Sequence, residues 1–287
     1  DVNRKVLNIK QCMQTFEGDG IPVTRAFPVS DLRDNDPFLL FDHFGPINYQ
    51  PGGATGVPAH PHCGFEAITY LLGGEIEHRD SWGGNATIKT GDIQWMTTGS
   101  GLIHSELVTE KFKKSGGIMQ GLQIWVNLPS KYKNVKPWYQ HIKKDDIPII
   151  KESNNVSIKV LVGEIKDVKS SVQTYSPVSI LDVNFFESNQ ISLDISKNQI
   201  AMVYVINGEL QFIESNTIAS KGQMVYFDQS STEINLTSIS SSGSYLLLAG
   251  EPLKESIIRH GPFVTNTDQE MQKAMLDYQN GKMGILK

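Results

Sequence analysis

The sequence predicts an all-β protein made of two copies of one β-barrel. Short apolar runs recur at 67–72, 86–89, 93–96, 121–128, 202–206, 224–227 and 245–249. Each is rich in β-branched or aromatic residues and bounded by Gly, Asn, Asp or Ser, which is strand-and-turn chemistry. Strands at this spacing form sandwiches or barrels. The second observation is a weak internal repeat. Tyr70-Leu71-Leu72-Gly73-Gly74-Glu75-Ile76 returns as Tyr204-Val205-Ile206-Asn207-Gly208-Glu209-Leu210. Gly91-Asp92-Ile93-Gln94-Trp95-Met96 returns as Gly222-Gln223-Met224-Val225-Tyr226-Phe227 after a nearly equal gap. A duplicated supersecondary unit is the simplest source of such self-similarity.

The elements follow in order. Gly73-Gly74 and Asn207-Gly208 supply the left-handed residues that tight hairpins need. Pro129, Ser130, Lys131, Tyr132, Lys133, Asn134 and Pro137 form a polar, Pro-punctuated stretch where the first copy ends. It is read as the linker between domains at 1–135 and 136–287. One strong helix signal lies near the C-terminus, among a few short helices expected overall. Thr267 and Glu270 have capping-box spacing, Met271, Ala274, Met275 and Tyr278 share a helical stripe, and Gly281 can end it. That stripe is expected to pack on a barrel.

The 287 residues carry a net charge of −5, with 39% hydrophobic and 20% charged residues. This suffices for real cores and lacks the clustered Lys and Arg of a nucleic-acid surface. The basic stretch Lys111, Lys113, Lys114, Lys131, Lys133 and Lys136 is read as a solvated loop region. No run approaches the ~20 apolar residues of a membrane span, and Asp1-Val2-Asn3-Arg4 carries no apolar signal region. Two cysteines, Cys12 and Cys63, imply no disulfide framework and fit a reducing compartment. A cytoplasmic monomer without a membrane or direct nucleic-acid partner is expected.

Chemistry concentrates in two segments. His60-Pro61-His62 is followed by Glu66, and Gly99-Ser100-Gly101-Leu102-Ile103-His104-Ser105-Glu106 closes the second segment. Side chains alternate faces along a strand, so His60, His62 and Glu66 are expected on one face, as are His104 and Glu106. If both faces point into one barrel, three imidazoles and a carboxylate converge, a donor set suited to Fe, Mn, Co, Ni, Cu or Zn. A bare H-x-H recurs by chance. Here it lies two strands upstream of a second ligand-like pair, and burying these groups together without a cation would be costly. His43, His78, His141 and His260 have no partner at ligand spacing, and His78, beside Glu75 and Glu77, is expected to be exposed. Cys63 is read as barrel packing.

These residues also carry a resemblance. His60-Pro61-His62-Cys63-Gly64-Phe65-Glu66, the segments 91–97, 101–106 and 121–129, Asp36-Pro37-Phe38-Leu39-Leu40 and Gly261-Pro262-Phe263-Val264 resemble the pirin family across nearly the whole chain. The resemblance implies two tandem cupin (jelly-roll) barrels, with one divalent metal, Fe(II) foremost, in the N-terminal one. Its metal ligands carry over onto His60, His62, His104 and Glu106. The Gly spacing before His60 and the Thr97 position depart from the general cupin pattern but are similar to other pirins. Many cupins use a glutamate at the Glu66 position and pirins use the one at Glu106. Glu66 lies roughly 13 Å along the strand from His62, so Glu106 is expected as ligand and Glu66 as a lining or supporting group. Phe44 and Met96 are candidate pocket residues, with Trp95 beside them.

In the second copy, alignment through the glycines places Asp194 and Ser196 at the His60 and His62 positions, and Asn235 and Thr237 at those of His104 and Glu106. A metal-free C-terminal barrel is expected. The resemblance implies a flavonol 2,3-dioxygenase using O₂ and an aromatic substrate such as quercetin, with Glu106 as ligand and base. The alternative it implies is a metal- or redox-responsive protein that binds transcription factors or metabolic enzymes without turnover.

Overall fold

The computed structural model describes residues 3–18, 20–29, 31 and 33–287. Asp1 and Val2, part of the N-terminal reading above, lie outside the described residues. The strands are β1 (Val6–Gln11), β2 (Met13–Glu17), β3 (Ile21–Phe27), β4 (Phe38–Tyr49), β5 (Gly56–His62), β6 (Phe65–Gly73), β7 (Glu75–Asp80), β8 (Asn85–Lys89), β9 (Ile93–Thr97), β10 (Leu102–Val108), β11 (Gly117–Asn127), β12 (Trp138–Ile142), β13 (Ile149–Ser153) and β14 (Val156–Val162). They continue as β15 (Glu164–Ile165), β16 (Val168–Lys169), β17 (Val178–Phe186), β18 (Asn189–Asp194), β19 (Ile200–Asn207), β20 (Glu209–Phe212), β21 (Thr217–Ser220), β22 (Gln223–Phe227), β23 (Glu233–Ser238), β24 (Ser242–Gly250), β25 (Ile258–His260) and β26 (Phe263–Thr265). Two α-helices occur among the described residues, α1 (Glu110–Ser115) and α2 (Asp268–Gln279).

The strands fall into two compact units, each a two-sheet barrel. Among the described residues, the first comprises those of 14–144 with 253–287, and the second those of 3–13 with 145–252. In the first, a seven-stranded sheet runs β12-β9-β6-β11-β4-β3-β2 and a four-stranded one β5-β10-β7-β8. In the second, the corresponding orders are β1-β22-β19-β24-β17-β14-β13 and β18-β23-β20-β21. This is the duplicated all-β architecture that the repeat predicts.

The units do not divide at residue 135. Both chain termini cross to the other copy's barrel. β1 finds its ladder on β22, with Ile9 opposite Val225. The C-terminal segment returns to the first barrel, where Cys63 bridges Phe263. Sequence-local reasoning cannot see such pairing, because its partners lie far apart along the chain. The expected linker is also part of the first unit. Lys133 is buried and its Nζ donates to Gly64 O at 2.6 Å and to Asn127 Oδ1. It is therefore not a solvated loop lysine, and burial lowers its pKa to about 8.

Helix α2 starts as its capping residues require. Thr267 Oγ1 accepts from the Glu270 amide at 3.1 Å, and the Glu270 carboxylate accepts from the Asn266 amide at 3.2 Å. Met271 and Ala274 are buried in a cluster with Cys63, Phe263 and Met283, but Met275 and Tyr278 are exposed. Half of the predicted stripe packs. Helix α1 gave no sequence signal. Thr109 caps it by accepting from the Phe112 amide at 3.2 Å.

The two interiors differ in kind. The second barrel is filled by one apolar cluster that includes Leu193, Val203, Phe212, Val225, Ile234 and Leu247. Each such fully buried side chain contributes roughly 1.5–3 kcal/mol. The first barrel splits its apolar packing. One cluster gathers Leu39, Leu40, Phe65, Met96 and Trp125, and another gathers Leu71, Ile76, Ile88, Val108 and Met119. In this unit His62, Glu66, Thr69, His78, Gln94, His104 and Glu106 are all buried.

Candidate metal centre

The site begins with the strand pairing. β10 lies between β5 and β7, with His104 opposite His60 on one side and Glu106 opposite His78 on the other. A bulge between His104 and Glu106 shifts the β5 side of the ladder. Alternation then turns His60 and His62 on β5, and His104 and Glu106 on β10, into the same barrel. Ring centroids lie 4.7 Å apart for His60 and His62, 4.3 Å for His60 and His104, and 5.1 Å for His62 and His104. Ligand nitrogens of the three rings all fall within 4.8 Å of one another. His104 Nε2 approaches His60 Nε2 to 2.8 Å, and Glu106 Oε1 lies 3.6 Å from His104 Nε2.

Glu66 is separated from this group. The strand carrying His60 and His62 ends at His62 because Gly64 adopts φ +88°, and a Cβ there would lie 1.8 Å from Val264 O. Only glycine tolerates both the backbone and the close approach. Glu66 thus starts a new run on β6, opposite Thr97, instead of extending the His face. Its Oε2 accepts from Trp95 Nε1 at 2.5 Å and from Thr97 Oγ1 at 2.6 Å. The expectation that His60, His62 and Glu66 share one strand face therefore fails at Gly64. Phe44 lines a cavity of about 120 Å³ together with Glu106, Thr69, Gln123, Ile21, Val23, Asp42 and Met119. Met96 sits in the apolar cluster with Leu39, Phe65 and Trp125.

The electrostatics favour unprotonated imidazoles. Burial, reinforced by the neighbouring His60, pushes His62 down to about 3. Burial and its imidazole neighbours hold His104 well below the ordinary range. Burial raises Glu106, which His78, His60 and Gln94 partly offset. His60 Nδ1 lies 2.7 Å from Pro58 O, so that nitrogen donates to the carbonyl and Nε2 is turned toward His104. Nδ1 of both His62 and His104 is buried with no well-formed hydrogen bond among the described residues, and the Pro262 carbonyl lies beside the His62 ring. Nε2 atoms of His60 and His104 facing each other at 2.8 Å, with the His62 ring and the Glu106 carboxylate beside them, fit a divalent cation, which would relieve the cost of burying these donors together.

Several groups around the site escaped the sequence reading. His78 is not exposed: it is fully buried, its Nε2 lies 2.7 Å from Asp80 Oδ2, and its ring stacks on Tyr139 at 4.0 Å. Its ring lies 5.5 Å from that of His104. The available signal was alternation with Ile76, because Glu75 and Glu77 occupy the other face of β7. Gln94 Nε2 donates to Glu106 Oε2 at 3.1 Å, and Tyr139 Oη donates to Gln94 Oε1 at 3.0 Å. His141 pairs with Asp92 and His43 with Gln120, away from the three imidazoles. Burial raises the Cys63 thiol to about 12, so it stays protonated and packs as expected.

The second barrel shows what the fold does without these ligands. Its hairpin places Leu210 opposite Ser238, as the first places Ile76 opposite Val108. Counting from those pairs, Ile234 and Leu236 occupy the positions of His104 and Glu106. Leu193, opposite Ile234, and Ile195 occupy those of His60 and His62. The glycine-based alignment to Asp194, Ser196, Asn235 and Thr237 is off by one residue, because the connecting loops differ in length between copies. A one-residue slip exchanges strand faces. Leu193, Ile195, Ile234 and Leu236 all belong to the apolar core. No histidine occurs between His141 and His260.

Comparison with known proteins places the chain's family and fold. Residues 20–126 match the family model described as Pirin, and residues 180–284 match that of the Pirin C-terminal cupin domain. A Pseudomonas aeruginosa protein provisionally named quercetin 2,3-dioxygenase is 35% identical over 97% of this chain and 98% of its own. Human pirin is 37% identical over 94% of this chain and 90% of its own. The crystal structure of a quercetin 2,3-dioxygenase from Acinetobacter baumannii superposes with a TM-score of 0.93 at 35% identity, covering 100% of both chains.

Proposed function

This chain belongs to the pirin family, and we propose that it is a mononuclear metal-dependent dioxygenase acting on flavonols such as quercetin. The observation that carries the reading is three imidazoles with ligand nitrogens within 4.8 Å of one another, and Glu106 3.6 Å from His104 at the wall of a largely apolar cavity. His60, His62, His104 and Glu106 would hold one divalent ion, iron in the first instance. A bound redox-active ion would supply O₂ activation and Lewis acidity toward a substrate hydroxyl.

The chain's own residues divide the remaining work. Glu106 is buried at the cavity wall with its pKa raised, which suits a carboxylate that accepts a substrate hydroxyl proton. Gln94 and Tyr139 hold that carboxylate in one orientation. Ile21, Val23, Phe44 and Met119 offer apolar walls to a planar aromatic ring and exclude water from the reacting oxygen. Glu66, anchored to Trp95 and Thr97, supports the barrel wall and takes no part in the proton transfer.

The test is aerobic consumption of quercetin by iron-reconstituted protein, followed by loss of flavonol absorbance with O₂ uptake and CO release. Stoichiometric O₂ consumption that disappears in Glu106→Gln supports the reading. Bound metal with no quercetin consumption overturns it, and would leave the metal-responsive binding role as the reading to pursue.

A further inference from the structure

Two buried donors beside the imidazoles have no acceptor among the described residues. Trp125 lies on β11, and its indole packs 5.4 Å from the His62 ring and stacks on Phe65 at 4.1 Å. Its Nε1 is buried without a hydrogen-bond partner. Arg259, carried by β25 from the C-terminal segment, places its guanidinium 4.5 Å over the Trp125 ring. Its Nη1 is likewise buried and unpartnered, and its Nε makes only a 3.4 Å contact to Gly261 O. Asp42 senses the charge of Arg259 but is held bidentately by Arg25, at 2.8 Å and 2.7 Å. Buried donors are nearly always satisfied, and Arg259 is half-buried with its Nη1 fully covered. Among the described residues the barrel thus keeps one guanidinium nitrogen, Nη1, and one indole N–H without a partner within one ring of His62.

We infer that Arg259 and Trp125 form an oxyanion subsite beside the three imidazoles, taking the ionised oxygen of a planar aromatic ligand. The guanidinium face is occupied by the indole, so its free Nη1 edge is what remains to bind an oxygen. The rings of Trp125, Phe65 and His62 surround these donors, and such aromatic neighbours suit a delocalised phenolate, enolate or carboxylate more than a hydrated inorganic ion. Deprotonation of a flavonol hydroxyl yields such an anion. The inference deepens the oxygenase reading and rests on it for the substrate, but the subsite is tested by binding alone.

The experiment titrates iron-loaded protein anaerobically with quercetin and, separately, with benzoate, following quenching of tryptophan fluorescence. Wild type is compared with Arg259→Gln, Arg259→Lys and Trp125→Phe, with iron content and thermal midpoint measured on each. The expected result is at least a tenfold weaker Kd for either ligand in Arg259→Gln, as loss of a charge-assisted hydrogen bond implies. Arg259→Lys should recover part of it, and Trp125→Phe, which keeps the packing but loses the N–H, should weaken binding several-fold. Benzoate binding that depends on Arg259, with no quercetin binding, supports the subsite and overturns the flavonol reading. Wild-type Kd values in both Arg259→Gln and Trp125→Phe, or a wild type that binds neither ligand, overturn the subsite. If Arg259→Gln does not fold, Trp125→Phe decides alone.

Discussion

Gln94 donates to Glu106 Oε2 at 3.1 Å while its own Oε1 accepts the Tyr139 hydroxyl at 3.0 Å. The tyrosine can only donate here if the amide presents its oxygen, so the pair also settles which end of Gln94 faces the carboxylate. A carboxylate held this way has one orientation toward His104 rather than many. Replacing Gln94 with Leu should weaken metal affinity or activity roughly 10- to 100-fold, the range for partners that orient a metal ligand. Chelator competition and quercetin turnover on the same preparations would check this.

Tyr139→Phe should act in the same direction but more mildly. It removes one hydrogen bond of about 1 kcal/mol, so turnover should fall about five- to tenfold. Metal content should stay at the wild-type level, because Tyr139 touches none of the proposed ligands directly through a hydrogen bond. Parallel loss of iron would show that the tyrosine matters for folding of the site and not for orientation of Glu106.

The imidazoles make stability depend on pH. His62 sits at about 3 in the folded metal-free protein, below an unfolded value of about 6.5. Between those values the unfolded chain binds the proton and the folded chain does not, so stability is lost as pH falls through that window. The slope approaches about 1.4 kcal/mol per pH unit for one such group. Urea midpoints of metal-free protein should therefore drop from pH 7 to pH 5, and His62→Leu should flatten the curve. A midpoint independent of pH over that range would contradict the buried, neutral assignment.

Gly64 ends the ligand strand where Val264 crosses it. Gly64→Ala introduces a Cβ at 1.8 Å from Val264 O, at φ +88°. Backbone cannot yield as a flexible side chain can, so a loss of about 3 kcal/mol or more is expected. The same change should displace His62 and reduce metal binding. Denaturant unfolding with metal titration would show both effects together.

Much of this was legible in the sequence because strand chemistry is local. The repeated hairpin glycines announced two barrels, and the spacing of His60, His62 and His104 pointed to three imidazoles that the fold brings within 4.8 Å of one another, with Glu106 3.6 Å from His104. What stayed hidden depends on parity and on distant pairing. His78 looked exposed because Glu75 and Glu77 flank it, yet alternation puts it on the opposite face with Ile76. The equivalents of the ligands in the second barrel slipped by one because loop lengths differ between copies, and one residue exchanges inside for outside. Arg259 reaches Trp125 only because the C-terminal segment returns to the first barrel. Glu66 was placed with the histidines because no feature of its own position shows that Gly64 breaks the strand; that follows from Val264, far along the chain.

The most direct test of the central claim is elemental analysis of purified, iron-reconstituted wild type beside His104→Ala. His104 is the ring at hydrogen-bond distance from His60 and nearest the Glu106 carboxylate in the geometry above. About one metal ion per wild-type chain and essentially none in the variant are expected, with the fold retained. Equal metal content in the two proteins, or none in wild type after reconstitution, would contradict it.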